Sequence, residues 1–219
     1  MLPRMTAVDM KKSQARTVNR GTYFLFTLVV VVIGWIIAAV NTGIAYLALG
    51  MDVIPILTGF VGCLVFVILM RFLHHAWWLA VLSVLPAVFV LVGSVQYAPE
   101  AALDHRGVRE KVRITADSAA RDGGSNHRFT LVGPSGDKLT QTLDYDGSAP
   151  DWGVGDRLTV VRDPEGVVPM EAVSDVDPDG RLGSLAMGVV GWTGLALLAG
   201  RRGFVRRRAG RRPAVEDLA

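Results

Sequence analysis

Cysteine is almost missing from this chain of 219 residues, in which Cys63 is the only one. A single cysteine excludes an intrachain disulfide framework and any zinc site that needs two or more cysteine ligands. The apolar residues form long blocks without heptads or Gly-X-Y repeats, which excludes a coiled coil, collagen and a chain disordered throughout. The sequence also lacks Walker-type and Rossmann-type glycine patterns.

Charge is nearly missing from residues 21–99, which contain only Asp52 and Arg71. The other charges fall in three blocks: residues 1–20 carry a net +4, residues 100–181 a net −6 and residues 201–219 a net +5. The overall net charge of +3 is therefore a sum of opposing segments and does not indicate a nucleic-acid partner. Basic clusters beside apolar stretches are typical of the cytoplasmic flanks of membrane helices.

Four apolar stretches are long enough to cross a bilayer, which takes about 20 residues of helix. They lack the polar faces that buried helices of a soluble protein would show to water. The predicted organisation is a cytoplasmic basic N-terminus, three transmembrane helices, an extracytoplasmic β domain, a fourth transmembrane helix and a cytoplasmic Arg-rich tail. The bounds are 1–22, then 23–98 with helices at about 23–40, 53–70 and 76–96, then 99–181, 182–200 and 201–219.

The basic clusters also predict the orientation. The positive-inside rule places both termini in the cytoplasm and residues 99–181 outside the plasma membrane. The excess of 19 Arg over 4 Lys is similar to that of a GC-rich bacterial protein, so we expect a bacterial plasma membrane. A cleaved signal peptide is an alternative for the first span, although its apolar run is longer than the usual 7–15 residues. Cleavage would leave three helices.

Two features of the spans predict how the helices pack. Pro86 lies near the middle of the third span and should kink it. Ser184, Gly188 and Gly191 form a small-residue face on the fourth span, where another helix can approach closely. No Asp, Glu, Lys or Arg lies within a predicted span, whereas an ion- or proton-coupled transport path usually contains one.

Residues 99–181 contain five short runs that are alternating or rich in β-branched residues. Turn sequences separate the runs, among them Asp163–Gly166, in which Pro164 suits the second position of a type I turn. Gly155 is expected to have a positive φ before the fourth run. The pattern predicts one small antiparallel barrel or sandwich. The expected strands are 108–115, 127–132, 138–143, 157–162 and 167–173.

One segment carries a resemblance to a known family. Residues 153–166, GVGDRLTVVRDPEG, contain a Val-Gly-Asp turn, a hydrophobic strand and an Asp-Pro turn. This pattern resembles that of an uncharacterised bacterial membrane-protein family in which two transmembrane helices bracket a small β domain. The resemblance covers roughly residues 76–200. It implies a fold and supplies no catalytic residue.

Asp175, Asp177, Asp179 and Gly180 match the opening of a calcium-binding loop, in which alternate carboxylates converge on a hard cation. The full loop needs a glutamate at its twelfth position, which here is Ala186. The alternative is an acidic linker whose carboxylates favour the N-terminal end of the following helix. Whether the three aspartates bind calcium stays open, and we predict no metal site.

The histidines do not form a pattern typical of a metal site or of a catalytic site. His74 and His75 are adjacent, so on a helix they point about 100° apart and cannot easily share a metal. His105 and His127 lie in the β domain with Ser125 nearby, but the local sequence has neither a nucleophile elbow nor an activated base. A mid-membrane cysteine is expected to pack as a small apolar residue. The sequence therefore predicts no catalytic and no cofactor-binding residue.

These observations favour a non-enzymatic, multi-pass plasma-membrane protein. Its acidic extracytoplasmic β domain would serve protein or envelope interaction, or sensing. The first alternative is an immunity or accessory membrane protein that acts on a toxin or a neighbouring complex. The second is a small transporter or channel subunit. The expected partners are the lipid bilayer and a protein bound through the β domain or the transmembrane helices, with no nucleic acid and no cofactor.

Overall fold

A computed structural model describes residues 20–74, 77–119, 127–145 and 152–208. Five helices lie in this part of the chain: α1 (Arg20–Leu47), α2 (Val53–His74), α3 (Trp77–Leu82), α4 (Val84–Arg106) and α5 (Pro178–Arg208). They supply four stretches that are long and apolar enough to cross a membrane, which agrees with the predicted number of spans. These stretches are Phe24–Leu47, Val53–Arg71, Trp77–Arg106 and Pro178–Val205.

The described residues form two compact units. We call residues 20–41, 56–94 and 183–208 the helical unit. The β unit consists of the described residues among 42–55 and 95–182. The ends of the long helices belong to the β unit, and α1, α4 and α5 extend beyond the predicted bounds 23–40, 76–96 and 182–200. Backbone hydrogen bonding continues a helix into polar sequence, whereas hydropathy detects only the part suited to lipid.

The helical unit is built around a pair of stacked aromatic rings. The rings of Phe66 and Trp192 stack with centroids 4.1 Å apart. The indole Nε1 of Trp192 donates a hydrogen bond to the carbonyl oxygen of Ser83 at 3.2 Å, so the only polar atom of this buried side chain is satisfied. Trp192 therefore contributes to the core between helices. The buried apolar residues around it include Val30, Ala38, Cys63, Met70, Leu79, Val90, Ala196 and Ala199.

The third span is interrupted at Ser83, which separates α3 from α4. Pro86 lies three residues further on, in the first turn of α4, where a missing N–H is tolerated. It has no N–H with which to bond the carbonyl of Leu82, four residues earlier, so the helix is weakened just before it. The Ser83 hydroxyl donates to the carbonyl of Ala80 at 2.7 Å at this point. The boundary between α3 and α4 thus lies one turn before the proline, and a kink of the span stays a prediction.

The small-residue face of α5 allows a close approach of α4. A Cβ atom added to Gly188 would lie 2.7 Å from the backbone nitrogen of Val90 and 2.8 Å from the carbonyl oxygen of Pro86. A Cβ atom on Gly191 would lie 2.8 Å from the Cβ of Pro86. Real side chains do not tolerate such distances, so glycine is required at both positions. The predicted role of Gly188 and Gly191 in helix packing is confirmed.

A short chain of hydrogen bonds crosses the interior of the helical unit. The Thr58 hydroxyl donates to Oδ1 of Asn41 at 2.7 Å, and Nδ2 of Asn41 donates to the hydroxyl of Ser94 at 2.8 Å. Asn41 and Ser94 are buried. Buried polar side chains in an apolar setting need such partners, and here the bonds link α1, α2 and α4.

The outer surface of the helical unit is apolar. In the most apolar part of each span, between 28% and 44% of the residues are buried. Large apolar side chains point outward, as Phe24, Leu85 and Val190 do. Helices that are apolar on their exposed faces are suited to lipid rather than to water as the surrounding medium.

The β unit contains one five-stranded antiparallel sheet. Its strands are β1 (Val108–Asp117), β2 (His127–Val132), β3 (Leu143–Tyr145), β4 (Arg157–Arg162) and β5 (Glu171–Ala172). They are arranged in the order β3-β2-β1-β4-β5. The edge strands, β3 and β5, contact each other, so the sheet is nearly closed. Of the two predicted alternatives, barrel and sandwich, the sheet corresponds to the barrel.

Strands β2 and β4 have the predicted bounds, but the third and fifth strands differ. The third expected strand, 138–143, is wrong: Lys138 forms only an isolated bridge with Val132, and β3 begins at Leu143. The fifth strand is reduced to Glu171–Ala172. Its expected first residues do not join the ladder because the carboxylate of Asp163 binds the backbone N–H groups of Val167 and Val168.

Two turns confirm the predicted glycine positions. Gly155 has a φ of 106° and Gly166 a φ of 68°. The N–H of Gly166 donates to the carbonyl of Asp163 at 3.0 Å, which closes the Asp-Pro turn. Gly155 is also hydrogen-bonded to the sheet, because its N–H donates to the carbonyl of Ile114 at 2.9 Å.

Two apolar clusters stabilise the β unit. One fills the inner face of the sheet and consists mainly of Val112, Ile114, Phe129, Leu131, Leu143, Tyr145, Leu158, Val160 and Met170. The other lies on the opposite face of β4, where Val161 packs with Leu103 of α4 and with Val168. Leu49, from the α1–α2 connection, contacts this second cluster. The sheet therefore shares a core with helix ends distant in sequence.

Candidate functional site

The Asp-Pro turn is held by the buried carboxylate of Asp163. Its Oδ2 accepts the N–H groups of Val167 at 3.1 Å and Val168 at 3.0 Å, and its Oδ1 accepts the N–H of Glu165 at 3.2 Å. Nη2 of Arg106, the last residue of α4, donates to Oδ2 at 2.9 Å. Nη1 of Arg106 donates to Glu165 at 2.8 Å.

The pKa of Asp163 reflects these bonds. Burial by itself raises this pKa, but the three backbone N–H groups and the charge of Arg106 outweigh burial and lower it below 3.8. The side chain of Asp163 is completely buried, and these four hydrogen bonds stabilise its negative charge. Asp163 is therefore a positioning residue for the β4–β5 connection.

A second group of charges lies where α5 begins. Glu100 of α4 is buried, and its carboxylate accepts Nε of Arg181 at 2.6 Å and the N–H of Asp177 at 2.9 Å. Glu100 and Arg181 are 81 residues apart in sequence. The ion pair therefore joins the two helices through which the chain enters and leaves the sheet.

Glu171 of β5 faces this group of charges. Burial is the largest cause that raises the pKa of Glu171, and with the nearby carboxylates of Glu100, Asp175 and Asp52 it brings this pKa from 4.5 to about 7. Arg181 acts in the opposite direction. Because Glu171 is largely buried and lies near other carboxylates, it holds its proton up to near-neutral pH.

The three aspartates that match the opening of a calcium-binding loop form other contacts in the structure. Oδ1 of Asp177 accepts the N–H of Gly180 at 3.0 Å, so Asp177 caps the N-terminus of α5, with Pro178 as its first residue. Asp175 accepts the hydroxyl of Ser174 at 3.0 Å, and Asp179 lies in the first turn of α5. Among the described residues, no group of three or more His, Cys, Asp or Glu is placed to hold a metal ion.

The structure pairs one of the candidate histidines with an aspartate. Nδ1 of His127 and Oδ2 of Asp117 are 2.7 Å apart. Burial raises the pKa of Asp117, but the hydrogen bonds from His127 and from the N–H of Ala119, with the charge of His127, lower it overall. The His127 ring also contacts Phe129 and Tyr145, with centroids 5.8 and 5.7 Å apart.

The other residues weighed as candidates do not join this pair. Ser125, His75 and the side chain of His74 lie outside the described residues. His105 is exposed on the last turn of α4. Cys63 is buried in the helical unit, and its Sγ lies 3.5 Å from the carbonyl oxygen of Ala87.

A polar groove of about 450 Å³ lies on the surface of the β unit. We call it the β2–β3 groove. The chain that connects β2 to β3 forms one wall, the Asp163–Gly166 turn forms the other, and Glu110 of β1 and Arg162 of β4 contribute side chains. Two buried atoms here, Oε1 of Gln141 and Nε of Arg162, have no hydrogen-bond partner.

Sequence reasoning did not single out Glu100, Arg106, Gln141 or Glu171. A signal existed for the first two, because they are charged residues that closely follow a long apolar span. No local pattern marks Gln141 or Glu171, since each acquires its surroundings from distant parts of the chain. Asp163 was recognised as a turn residue, but its role as an acceptor for Arg106 was missed.

No family model, no curated protein and no solved structure matches the chain. The resemblance to a bacterial family with a bracketed β domain therefore stays a prediction. Four helices that are able to cross a membrane, together with a nearly closed five-stranded antiparallel sheet, are consistent with one class of protein. This class is the multi-pass helical membrane protein that carries a small β domain.

Proposed function

We propose that this protein is a non-enzymatic, multi-pass component of a bacterial plasma membrane that displays its β unit outside the cell for interaction with a protein or envelope partner, or for sensing. The observation that carries the proposal is the contrast between the surfaces of the two units. The helical unit exposes apolar side chains suited to lipid. The β unit has its own closed core and a charged surface that contains a groove.

The charge distribution supports the orientation. The basic blocks at residues 1–20 and 201–219 lie outside the apolar spans, and the segment between the third and fourth spans carries a net −6. Basic residues are retained in the cytoplasm beside membrane helices, whereas acidic segments are exported without such a penalty. An exported acidic domain next to a membrane anchor is well placed to contact soluble or envelope partners.

Cysteine labelling in intact cells tests the orientation. In a Cys63→Ala background, Val154→Cys places a thiol on an exposed turn of the β unit, and Gly210→Cys places one in the Arg-rich tail. We expect a membrane-impermeant maleimide to label the first variant and not the second. Permeabilised cells are the control, because both variants should then react. Labelling of the tail alone in intact cells would reverse the orientation and refute display outside the cell.

Substitution of the polar candidates tests the non-enzymatic part of the proposal. In a deletion strain, we expect the wild-type phenotype to be fully restored by expression of any of three variants, His127→Ala, His105→Ala or Ser125→Ala. The Asp117–His127 pair alone orients a base but supplies no nucleophile. Loss of complementation by any of the three, with normal membrane insertion, would contradict a non-enzymatic function.

A further inference from the structure

We propose that one end of the helical unit binds the phosphodiester head groups of anionic phospholipids. This end, which we call the arginine end, consists of the last residues of α2 and α5 and the first residues of α1 and α3. The proposal goes beyond the proposed function, and it does not depend on which side of the membrane the arginine end faces.

Contacts within the helical unit bring these helix ends together. Cζ of Arg202 in α5 lies 5.4 Å from the centroid of the Trp78 ring in α3. A Cβ atom added to Gly200 would lie 2.9 Å from Cγ2 of Thr27, so this part of α5 also lies close to α1. Only residues 75–76 separate the end of α2 from the start of α3. The four helices therefore meet at the arginine end.

The positive charge of the arginine end has no carboxylate to pair with inside the helical unit. The described residues of this unit contain seven arginines and no Asp or Glu, and five of the seven lie within residues 201–208. Residues 201–219 keep a net +5 after their two carboxylates are counted. Anionic lipids attract basic clusters that directly follow a membrane helix, so they can supply the missing negative charge.

Apolar side chains beside the arginines favour a lipid over a soluble anion. Arg201 is exposed, and Leu197 and Val205, one helical turn before and after it on the same face of α5, are exposed as well. Trp77 is 64% exposed, and indole rings are typical of the head-group region of a bilayer. A nucleic acid or an acidic protein would leave these apolar groups in water, whereas a lipid covers them with its acyl chains.

The ring of Trp78 holds Arg202 in a position that suits a phosphate. A guanidinium over an indole face is attracted by the ring, and this attraction restricts an otherwise flexible side chain. The planar fork of an arginine can donate two parallel hydrogen bonds to the oxygens of one phosphodiester. Arg202 is therefore the group that we expect to bind the head group, and Trp78 is a positioning residue.

The test measures lipid binding to the full chain by native mass spectrometry in a neutral detergent. The probes are phosphatidylglycerol and phosphatidylcholine with identical acyl chains, so they differ in the net charge of the head group. We expect phosphatidylglycerol to bind at least about tenfold more tightly, because more than one arginine lies near the head group. We also expect this preference to weaken as the ionic strength rises.

Two variants and a matched control locate the binding. Arg202→Gln removes the charge and should weaken phosphatidylglycerol binding about three- to tenfold, with no effect on phosphatidylcholine. Arg202→Lys keeps the charge and loses the planar fork, so we expect a loss of about two- to threefold. Arg157→Gln removes the same charge from an exposed position of the β unit and should change neither affinity. Unfolding midpoints in detergent check that all variants are folded.

Trp78→Leu tests whether the ring positions the guanidinium. In the wild-type chain, this substitution should weaken phosphatidylglycerol binding about two- to threefold. In the Arg202→Gln background it should have no further effect, because the group that the ring positions is already gone. An equal loss in both backgrounds would mean that Trp78 acts independently of Arg202, which contradicts its positioning role.

Several outcomes would overturn the proposal. Equal affinities for the two lipids would contradict recognition of an anionic head group. A preference that Arg202→Gln leaves unchanged would place the lipid elsewhere on the chain. Displacement of the lipid by equimolar glycerol 3-phosphate would show a site for a soluble phosphate, and displacement by a single-stranded oligonucleotide would show a nucleic-acid surface. None of these outcomes affects the proposed function, which the labelling experiment tests separately.

Discussion

The two units of this protein have similar apolar interiors and opposite surfaces. The helical unit exposes large apolar side chains and holds its helices together with a stacked Phe66–Trp192 pair, close glycine contacts and a few buried hydrogen bonds. The β unit exposes charge and buries an apolar core, with the carboxylates of Glu100 and Asp163 inside it. The surface of the helical unit is suited to lipid and that of the β unit to water. In lipid the hydrophobic effect does not drive helices together, so the helical unit is stabilised by close packing and hydrogen bonds, whereas the β unit is stabilised by hydrophobic burial and charge pairing.

Removal of the buried carboxylate of the β unit should have the largest effect. Asp163→Ala leaves Arg106 and three backbone N–H groups without their acceptor, so we expect a loss of about 3–5 kcal/mol in the stability of the β unit. Amide hydrogen exchange on the full chain should become faster in the β unit and stay unchanged in the helical unit.

Asp144→Ala is the matched control for this variant. Asp144 also pairs with an arginine, Arg128, but both side chains are exposed. Exposed ion pairs contribute at most about 1 kcal/mol. If Asp144→Ala and Asp163→Ala accelerated exchange equally, burial of the carboxylate would not be the source of its importance.

A side chain at the helix contact should destabilise the helical unit by about 2–3 kcal/mol. Gly188→Val forces a Cβ against the backbone of Val90 and Pro86, which the two helices can relieve only by moving apart. Gly194→Val is the control on the same helix, because nothing lies within 4 Å of its added Cβ. Thermal unfolding in detergent should show a lower midpoint for the first variant alone. Equal midpoints would mean that α4 and α5 do not depend on close contact.

The stability of the β unit should fall as the pH rises from about 4.5 to 7. The folded state raises the pKa of Glu171 to about 7. The unfolded chain therefore loses this proton first, and the stabilisation that the proton confers is lost as the pH approaches the folded pKa. A shift of this size corresponds to about 2 kcal/mol after an allowance for partial exposure.

Glu171→Gln sharpens this prediction, because it removes the titration and keeps the shape. The variant should match the wild type near pH 5 and exceed it in stability at pH 8. Asp163 and Asp117, whose pKa values are lowered, contribute stability above about pH 3.8 that is lost only at lower pH, so they do not disturb this window. A wild-type stability that rose between pH 5 and 8 relative to Glu171→Gln would contradict the assignment.

The smallest effect is expected at a turn of the β unit. Gly155→Ala places a Cβ on a residue with a φ of 106°, which should cost about 1 kcal/mol although the space around it is open. Gly153→Ala, two residues earlier in the same turn, is the control, because its φ does not lie in that region. Denaturant unfolding followed by hydrogen exchange should separate the two variants. Identical midpoints would remove the role assigned to Gly155.

Elements with a local cause were predicted well. Strands β2 and β4 match their expected bounds because each is a complete run of strand-forming residues between turn sequences. The positive φ at Gly155 was expected from its place in the turn before β4. The third and fifth strands were predicted less well, since whether a short run joins a ladder depends on what its N–H groups meet elsewhere, as at Val167 and Val168.

The four spans and the existence of a five-stranded domain are consequences of the residue order alone. The length and apolarity of a run, and the turn residues at its ends, are properties of neighbouring positions, so they can be read from the sequence. The ion pairs of Arg106 with Asp163 and of Glu100 with Arg181 exist only in the folded chain. Electrostatic and hydrogen-bonding energies depend on distance and burial, and folding sets both between residues that are far apart along the chain.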